Sequence, residues 1–162
     1  MNTEISIYLP DTARVWVYIA NRALSNTEVE KSKSLLVDFI KGWTAHGAAL
    51  TADATVLYNR FVILSVDEER ALASGCSIDK SVHFMKSLGE ALGVDFFDRM
   101  LTPYIDNETI QCVGLHQFWA LRKAGVVTDD TIVFNPLVKS LGEFRQQWAI
   151  PFKNSWHAEM WK

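Results

Sequence analysis

Thr51-Ala52-Asp53-Ala54-Thr55-Val56-Leu57-Tyr58-Asn59-Arg60-Phe61-Val62-Ile63-Leu64-Ser65-Val66 decides the fold class. Both halves, 51–58 and 61–66, read as strands, and the second is almost wholly apolar. A strand with one wet face alternates apolar and polar residues, whereas a strand covered on both faces is apolar throughout. Residues 61–66 are therefore expected at the centre of a sheet. Asn59-Arg60 is expected to form the tight turn, because Asn tolerates the positive φ that hairpin turns demand.

Upstream, residues 13–20 read as another strand, with Val15, Val17 and Ile19 on one face and Arg14, Trp16 and Tyr18 on the other. Ser25-Asn26-Thr27-Glu28 has the spacing of a capping box. The helix it opens runs to about Lys41, with Val29, Leu36, Ile40 and Trp43 on one stripe beside Leu35 and Phe39, and Gly42 and Gly47 mark its exit. Downstream, the acidic loop Asp67-Glu68-Glu69-Arg70 leads to Ser74-Gly75-Cys76-Ser77-Ile78-Asp79-Lys80-Ser81, the start of a helix that ends near Leu92 at Gly93. The order strand, helix, strand, strand, helix lacks one strand of a ferredoxin-like βαββαβ sandwich. Residues 100–105 or 109–113 are expected to supply it, joined as a hairpin by Asp106-Asn107. A helix over 115–123 ends at Gly125, a brief strand follows at 131–134, and a last helix over 140–148 is closed by Pro151. The reading is a single α+β domain over 1–162: a βαββα core over 1–98, then a hairpin, short helices and a tail over 99–162.

Hydrophobic residues make up 49% of the 162, enough for a substantial core. A net charge of −3 without a basic run argues against nucleic acid and anionic membranes as partners. The N-terminus lacks the basic and apolar regions of a signal peptide, and no apolar run approaches the ~20 residues of a membrane span. Cys76 and Cys112 form neither a CxxC pair nor a disulfide framework, so a cytoplasmic protein with reduced thiols is expected. Of six tryptophans, Trp148, Trp156 and Trp161 crowd the last fifteen residues and are expected to pin the tail to the body.

The segment 74–81 carries the chemistry worth weighing. A helix N-terminus presents unpaired N–H groups and a positive dipole end, which hold anions and stabilise a thiolate. Ser74, Gly75, Cys76, Ser77 and Lys80 are thus candidate ligand-binding residues. At about 100° per residue, Ile78, Val82, Met85 and Leu92 share the core face, and Cys76, Asp79 and His83 share the outer stripe. Asp79 and His83 are within reach at i,i+4. Cys76 and His83 stand about 10 Å apart along the axis, so a base for the thiol must come from another element, His46 or His116. A catalytic set would comprise Cys76, His46, Asp79 and His83. The bland alternative makes Ser74 or Ser77 a cap, Gly75 a turn residue and Cys76 a half-buried filler. No HExxH or Cys/His cluster marks a metal site, no GxSxG marks a serine hydrolase, and no cofactor is expected. Asp95, Asp98 and Arg99 read as a solvated turn.

Thr44-Ala45-His46-Gly47, segment 74–81, Val94-Asp95-Phe96-Phe97-Asp98-Arg99, Arg14-Val15-Trp16 and Asp130-Thr131-Ile132-Val133-Phe134-Asn135 resemble stretches of a family of small bacterial proteins labelled "ABC transporter ATPase". The resemblance extends over most of the chain; nucleotide hydrolysis is what the label alone would imply. Against that stands the missing GxxxxGK[ST] loop: Lys80-Ser81 lacks its glycines, and the strand ending in Asp67-Glu68 is only a partial mimic. Residues 113–134 also resemble the helix-and-strand part of GYF-type adaptor modules, without their Gly-Pro-Phe motif. The first functional expectation is a non-catalytic binding or interaction protein, with a small anionic ligand or a protein as partner and edge pairing as a route to a homodimer. The alternative is a thiol-dependent enzyme using Cys76, and ATP hydrolysis comes last.

Overall fold

The computed structural model describes residues 8–69 and 71–161; Met1-Asn2-Thr3-Glu4-Ile5 and Arg70 of the acidic loop lie outside them. In chain order the elements are β1 (Arg14–Ile19), α1 (Asn26–Lys41), β2 (Thr44–Ala45), β3 (Ala48–Ala49), β4 (Thr51–Leu57), β5 (Phe61–Asp67) and α2 (Gly75–Leu92). They continue with β6 (Leu101–Asp106), β7 (Thr109–Gly114), α3 (Leu115–Lys123), β8 (Ile132–Phe134), α4 (Leu141–Gln147), β9 (Ala149–Pro151), a 3₁₀ turn (Phe152–Asn154) and α5 (Trp156–Trp161).

The class is α+β, with two main antiparallel sheets. The first has the order β1-β5-β4, so the apolar strand is central, as its composition predicts. Residues 61–66 are all buried. Val62, Leu64, Met85, Leu88, Leu36 and Val29 form one core between this sheet and α1 and α2. Phe61, Ile63, Val15 and Leu57 form another on the opposite face, with Phe134, Leu141, Phe144 and Trp148 from the C-terminal part. The second sheet, β7-β6-β8-β9, turns Phe134 and Ile105 towards the first and Tyr104 and Val133 away. Phe118 of α3 and Phe152 cover that far side. The result is four layers: helices, sheet, sheet, helices.

The strand completing a ferredoxin-like sheet does not follow α2. β6 and β7 pair with each other from Leu101↔Gly114 to Asp106↔Thr109 and found the second sheet instead. Pro103 of β6 has no N–H to give a ladder, and the β6–β8 pairing is confined to the single bridge Tyr104↔Val133. The hairpin turns also lie one residue from where expected. Tyr58 and Asn59 (φ 54° each) make the β4–β5 turn, with Arg60 N–H donating to Leu57 O at 3.0 Å. Asn107 and Glu108 (φ 49° and 64°) make the β6–β7 turn. Both positions of such a turn need positive φ, and the strand twist selects it despite the poor fit of Tyr and Glu.

The capping box at α1 forms as read, Ser25 accepting from Glu28 N–H and Glu28 accepting from Ser25 N–H. Of the tail tryptophans, Trp148 is buried against Phe134 and Phe144, while Trp161 stacks on Trp119 at 5.4 Å and stays 39% exposed. The firmer anchors of the tail are Phe152 and His157.

Candidate functional site

α2 begins at Gly75, and Ser74 is its cap: the Ser74 Oγ accepts the Ser77 N–H at 3.1 Å. Gly75 has no positive φ, so its role is helical and not that of a turn residue. Ser77 is buried. Its hydroxyl donates to Ser74 O at 2.8 Å, and its carbonyl accepts the Trp43 indole N–H at 2.9 Å. Cys76, Asp79, Lys80 and His83 are all exposed on the outer stripe. The inner face is Ser77, Ser81, Met85, Leu88 and Leu92, with Ile78 and Val82 at its half-buried margin. No hydrogen bond or ion pair among the described residues joins Cys76, Asp79, His83 and His46. His46 (φ 51°) occupies the exposed β2–β3 turn, and His116 is exposed in the first turn of α3. Cys112 is half-buried, and burial pushes its thiol up. Asp98 adds to that rise and Arg60 opposes it.

A second arrangement lies along the outer edge of β1. Even-numbered residues of β1 face β5 with their backbone groups, as the Ala20 N–H donation to Arg60 O continues. Odd-numbered residues face outward. Leu141 N–H donates to Ala13 O at 2.8 Å and Val15 N–H to Lys139 O at 3.1 Å, making one antiparallel bridge, Arg14↔Ser140. The next rung would take Lys139 N–H to Val15 O. The Glu143 carboxylate accepts that N–H instead, at 2.9 Å, and Asn135 Oδ1 accepts the Leu137 N–H at 3.0 Å. Pro136 has no N–H to offer. The ladder therefore parts, and Val15 O, Val17 N–H and O, and Ile19 N–H are left facing a cleft.

The cleft has two contiguous lobes that share Val17, Tyr18, Pro136 and Leu137. One, of about 400 Å³, runs from Arg14 to Tyr18 against residues 136–139. The other, of about 490 Å³, is walled by Ile19, Val82, Phe96, Phe97 and Leu101, with Asp98 and Arg99 at its mouth. Tyr18 packs edge-on to Phe97 at 5.6 Å, and burial raises its hydroxyl pKa against a hydrogen bond with Ser81. Leu137 overhangs the groove at 71% exposure. Arg14 lies 5.0 Å over the Trp16 ring and 3.9 Å from Glu68, a long ion pair. Arg99 and Lys139 have no ion-pair partner among the described residues. Asp98, the one acid of the lining, accepts Met100 N–H at 3.0 Å.

Nothing in the hydrophobic pattern of 13–20 marks this edge as open. Asn135-Pro136 after a short strand was the available signal, since a proline beside a strand forbids continued pairing. No group of three or more His, Cys, Asp and Glu suited to a metal ion occurs among the described residues. No helix among them is long and apolar enough to cross a membrane. No family model, no curated protein and no solved structure matches this chain.

Proposed function

We propose that this chain is a non-catalytic interaction protein that takes up an extended polypeptide segment along the bare edge of β1. The observation that carries the reading is the parted ladder: backbone donors and acceptors from Val15 to Ile19 beside an apolar-walled groove. Main-chain bonds to an edge strand supply affinity, and flanking pockets for alternate side chains supply selectivity. An open edge of this kind is otherwise a liability that proteins cover or charge. β1, β5, β4 and the two helices act here as a ferredoxin-like scaffold in which the outer strand position is vacated for a guest. The test is selection of random displayed peptides on the wild-type chain, with Val17→Pro as counter-selection. Val17 N–H faces outward, so proline removes a donor to the guest and no bond to β5. Peptides lost on Val17→Pro support the reading; the same peptides enriched on both proteins refute it.

A second reading is favoured by the exposure of Cys76 in the first turn of the 18-residue α2. It takes Ser74, Gly75, Cys76, Ser77 and Lys80 as an anion-accepting helix end, or Cys76 as a nucleophile served by His46 with Asp79 and His83 in support. Alkylation by iodoacetamide across pH, with Cys76→Ser as control, separates these. Rapid modification of Cys76 below neutral pH supports a thiol enzyme, and an ordinary thiol profile ends it. Both readings assume a cytoplasmic setting in which the thiols stay reduced. ATP with magnesium is expected to leave the melting temperature unchanged.

A further inference from the structure

We infer that the guest of the β1 edge is an acidic segment of a partner protein, with a carboxylate near each end of its paired stretch and an apolar residue between; this rests on the reading above. The chain as a whole is acidic, at −3. The groove reverses that sign. Arg14 and Lys139 line its first lobe and Arg99 its second; Asp98 is the one acid of the lining, while outside it Glu68 pairs at long range with Arg14 and the Glu143 carboxylate is taken up by Lys139 N–H. Asp98 is already held by Met100 N–H, and Arg99 and Lys139 have no ion-pair partner among the described residues. Two unpaired cations at opposite ends of one groove complement carboxylates set apart along a strand. A strand rises about 3.4 Å per residue, so a segment opposite residues 15–19 covers roughly 17 Å, and side chains at i, i+2 and i+4 point the same way. Carboxylates at i and i+4 then reach the two ends. The side chain at i+2 falls on the apolar middle, where Val17, Tyr18, Pro136 and Leu137 are shared by both lobes. A neutral apolar guest would leave both cations unpaired, and a basic one would meet like charge.

The probe is a capped, fluorescein-labelled heptapeptide of threonines with glutamate at its second and sixth positions and valine at its fourth. A twin carries lysines in place of the glutamates. Fluorescence polarisation is expected to give at least about tenfold tighter binding of the acidic peptide at low salt, weakened at high salt. The double variant Arg99→Glu, Lys139→Glu is expected to reverse that preference. Val17→Pro is expected to abolish binding of both peptides. Leu137→Asp, at an exposed position where folding is not at stake, is expected to weaken the acidic peptide by about tenfold. Equal binding of the two peptides overturns the inference. So does failure of either to bind at millimolar concentration. If display yields edge-dependent peptides free of acids, the edge reading survives and this inference falls. Full binding by Val17→Pro overturns both. Sedimentation showing a dimer that Val17→Pro dissociates makes a second copy the occupant and also overturns it.

Discussion

Two glycine-to-alanine changes in α2 are expected to have opposite signs. Gly89 sits one turn before the helix end, where Gly93 (φ 68°) takes the left-handed conformation. Gly93 N–H points to Glu90 O at 3.4 Å, and Val94 N–H donates to Gly89 O at 2.9 Å. This is a Schellman turn, and it folds the Val94 carbonyl back over Gly89. A Cβ on Gly89 would stand 2.7 Å from Val94 O, a backbone atom with no freedom to swing aside, and 3.5 Å from Phe96 Cδ2. Alanine gains about 1 kcal/mol of helix propensity over glycine. Overpacking costs about 1–3 kcal/mol, and loosening the two turn bonds costs about 1 kcal/mol each. Gly89→Ala is thus expected to lose roughly 2–4 kcal/mol, a fall in Tm of about 4–16 °C for a chain of this size. At Gly75 nothing lies within 4 Å of an added Cβ, and the residue is helical. Gly75→Ala is expected to leave Tm unchanged or to raise it slightly, by less than about 1 kcal/mol. Calorimetry and urea unfolding of both variants give the comparison. A Gly89→Ala protein at least as stable as wild type would refute the steric argument.

His157 is buried against Phe118, and burial holds its imidazole down to about 4. The unfolded chain, with an ordinary value near 6.5, then binds the proton first on acidification. Stability from this residue is full above about pH 6.5 and drains away as pH falls towards 4, by up to about 3 kcal/mol. His157→Phe is expected to flatten that part of the stability–pH curve; an unchanged slope between pH 6.5 and 4 counts against the assignment. Trp43→Phe removes the indole N–H that Ser77 O accepts inside the core. It is expected to cost about 1–3 kcal/mol, read by urea unfolding; a neutral result would mean that water replaces the donor. Iodoacetamide is expected to modify exposed Cys76 well before half-buried Cys112, as peptide mapping of the singly alkylated product will reveal. Preferential labelling of Cys112 would mean that β7 lifts readily from the first sheet, since Cys112 shares the strand face of Ile110 and lies near Arg60 and Asp98.

Legibility followed the range of the forces involved. The capping box at Ser25 and Glu28 and the doubly buried strand at 61–66 depend on neighbours in sequence and form where expected; of the two serines offered as the cap of α2, Ser74 is the one that caps it. The hairpin turns lie one residue from the positions that composition favours, because positive φ is chosen by strand twist against the preferences of Tyr58 and Glu108. The sheet to which Leu101–Asp106 belongs is a tertiary decision that periodicity does not encode, since either sheet accepts the same alternating strand. For the candidate site, the exposed stripe of Cys76, Asp79 and His83 was legible from helical geometry. The β1 cleft was not: the Glu143 contact to the Lys139 amide is local, four residues apart, but the placement of residues 136–141 beside β1 is a tertiary decision that no local pattern encodes.

The far side of β5 has a bearing on how the polypeptide is made. Its covering residues Phe134, Leu141, Phe144 and Trp148 leave the ribosome long after Phe61 and Ile63. Throughout that interval the nascent first sheet presents a naked aromatic and aliphatic slab to the surrounding fluid. Domains assemble from the N-terminus as they emerge, and transiently bared surface of this kind draws chaperones or aggregates. A chain truncated after Asp98 is accordingly expected to partition into the insoluble fraction, and soluble monomeric expression of that fragment would show that the first sheet needs no escort.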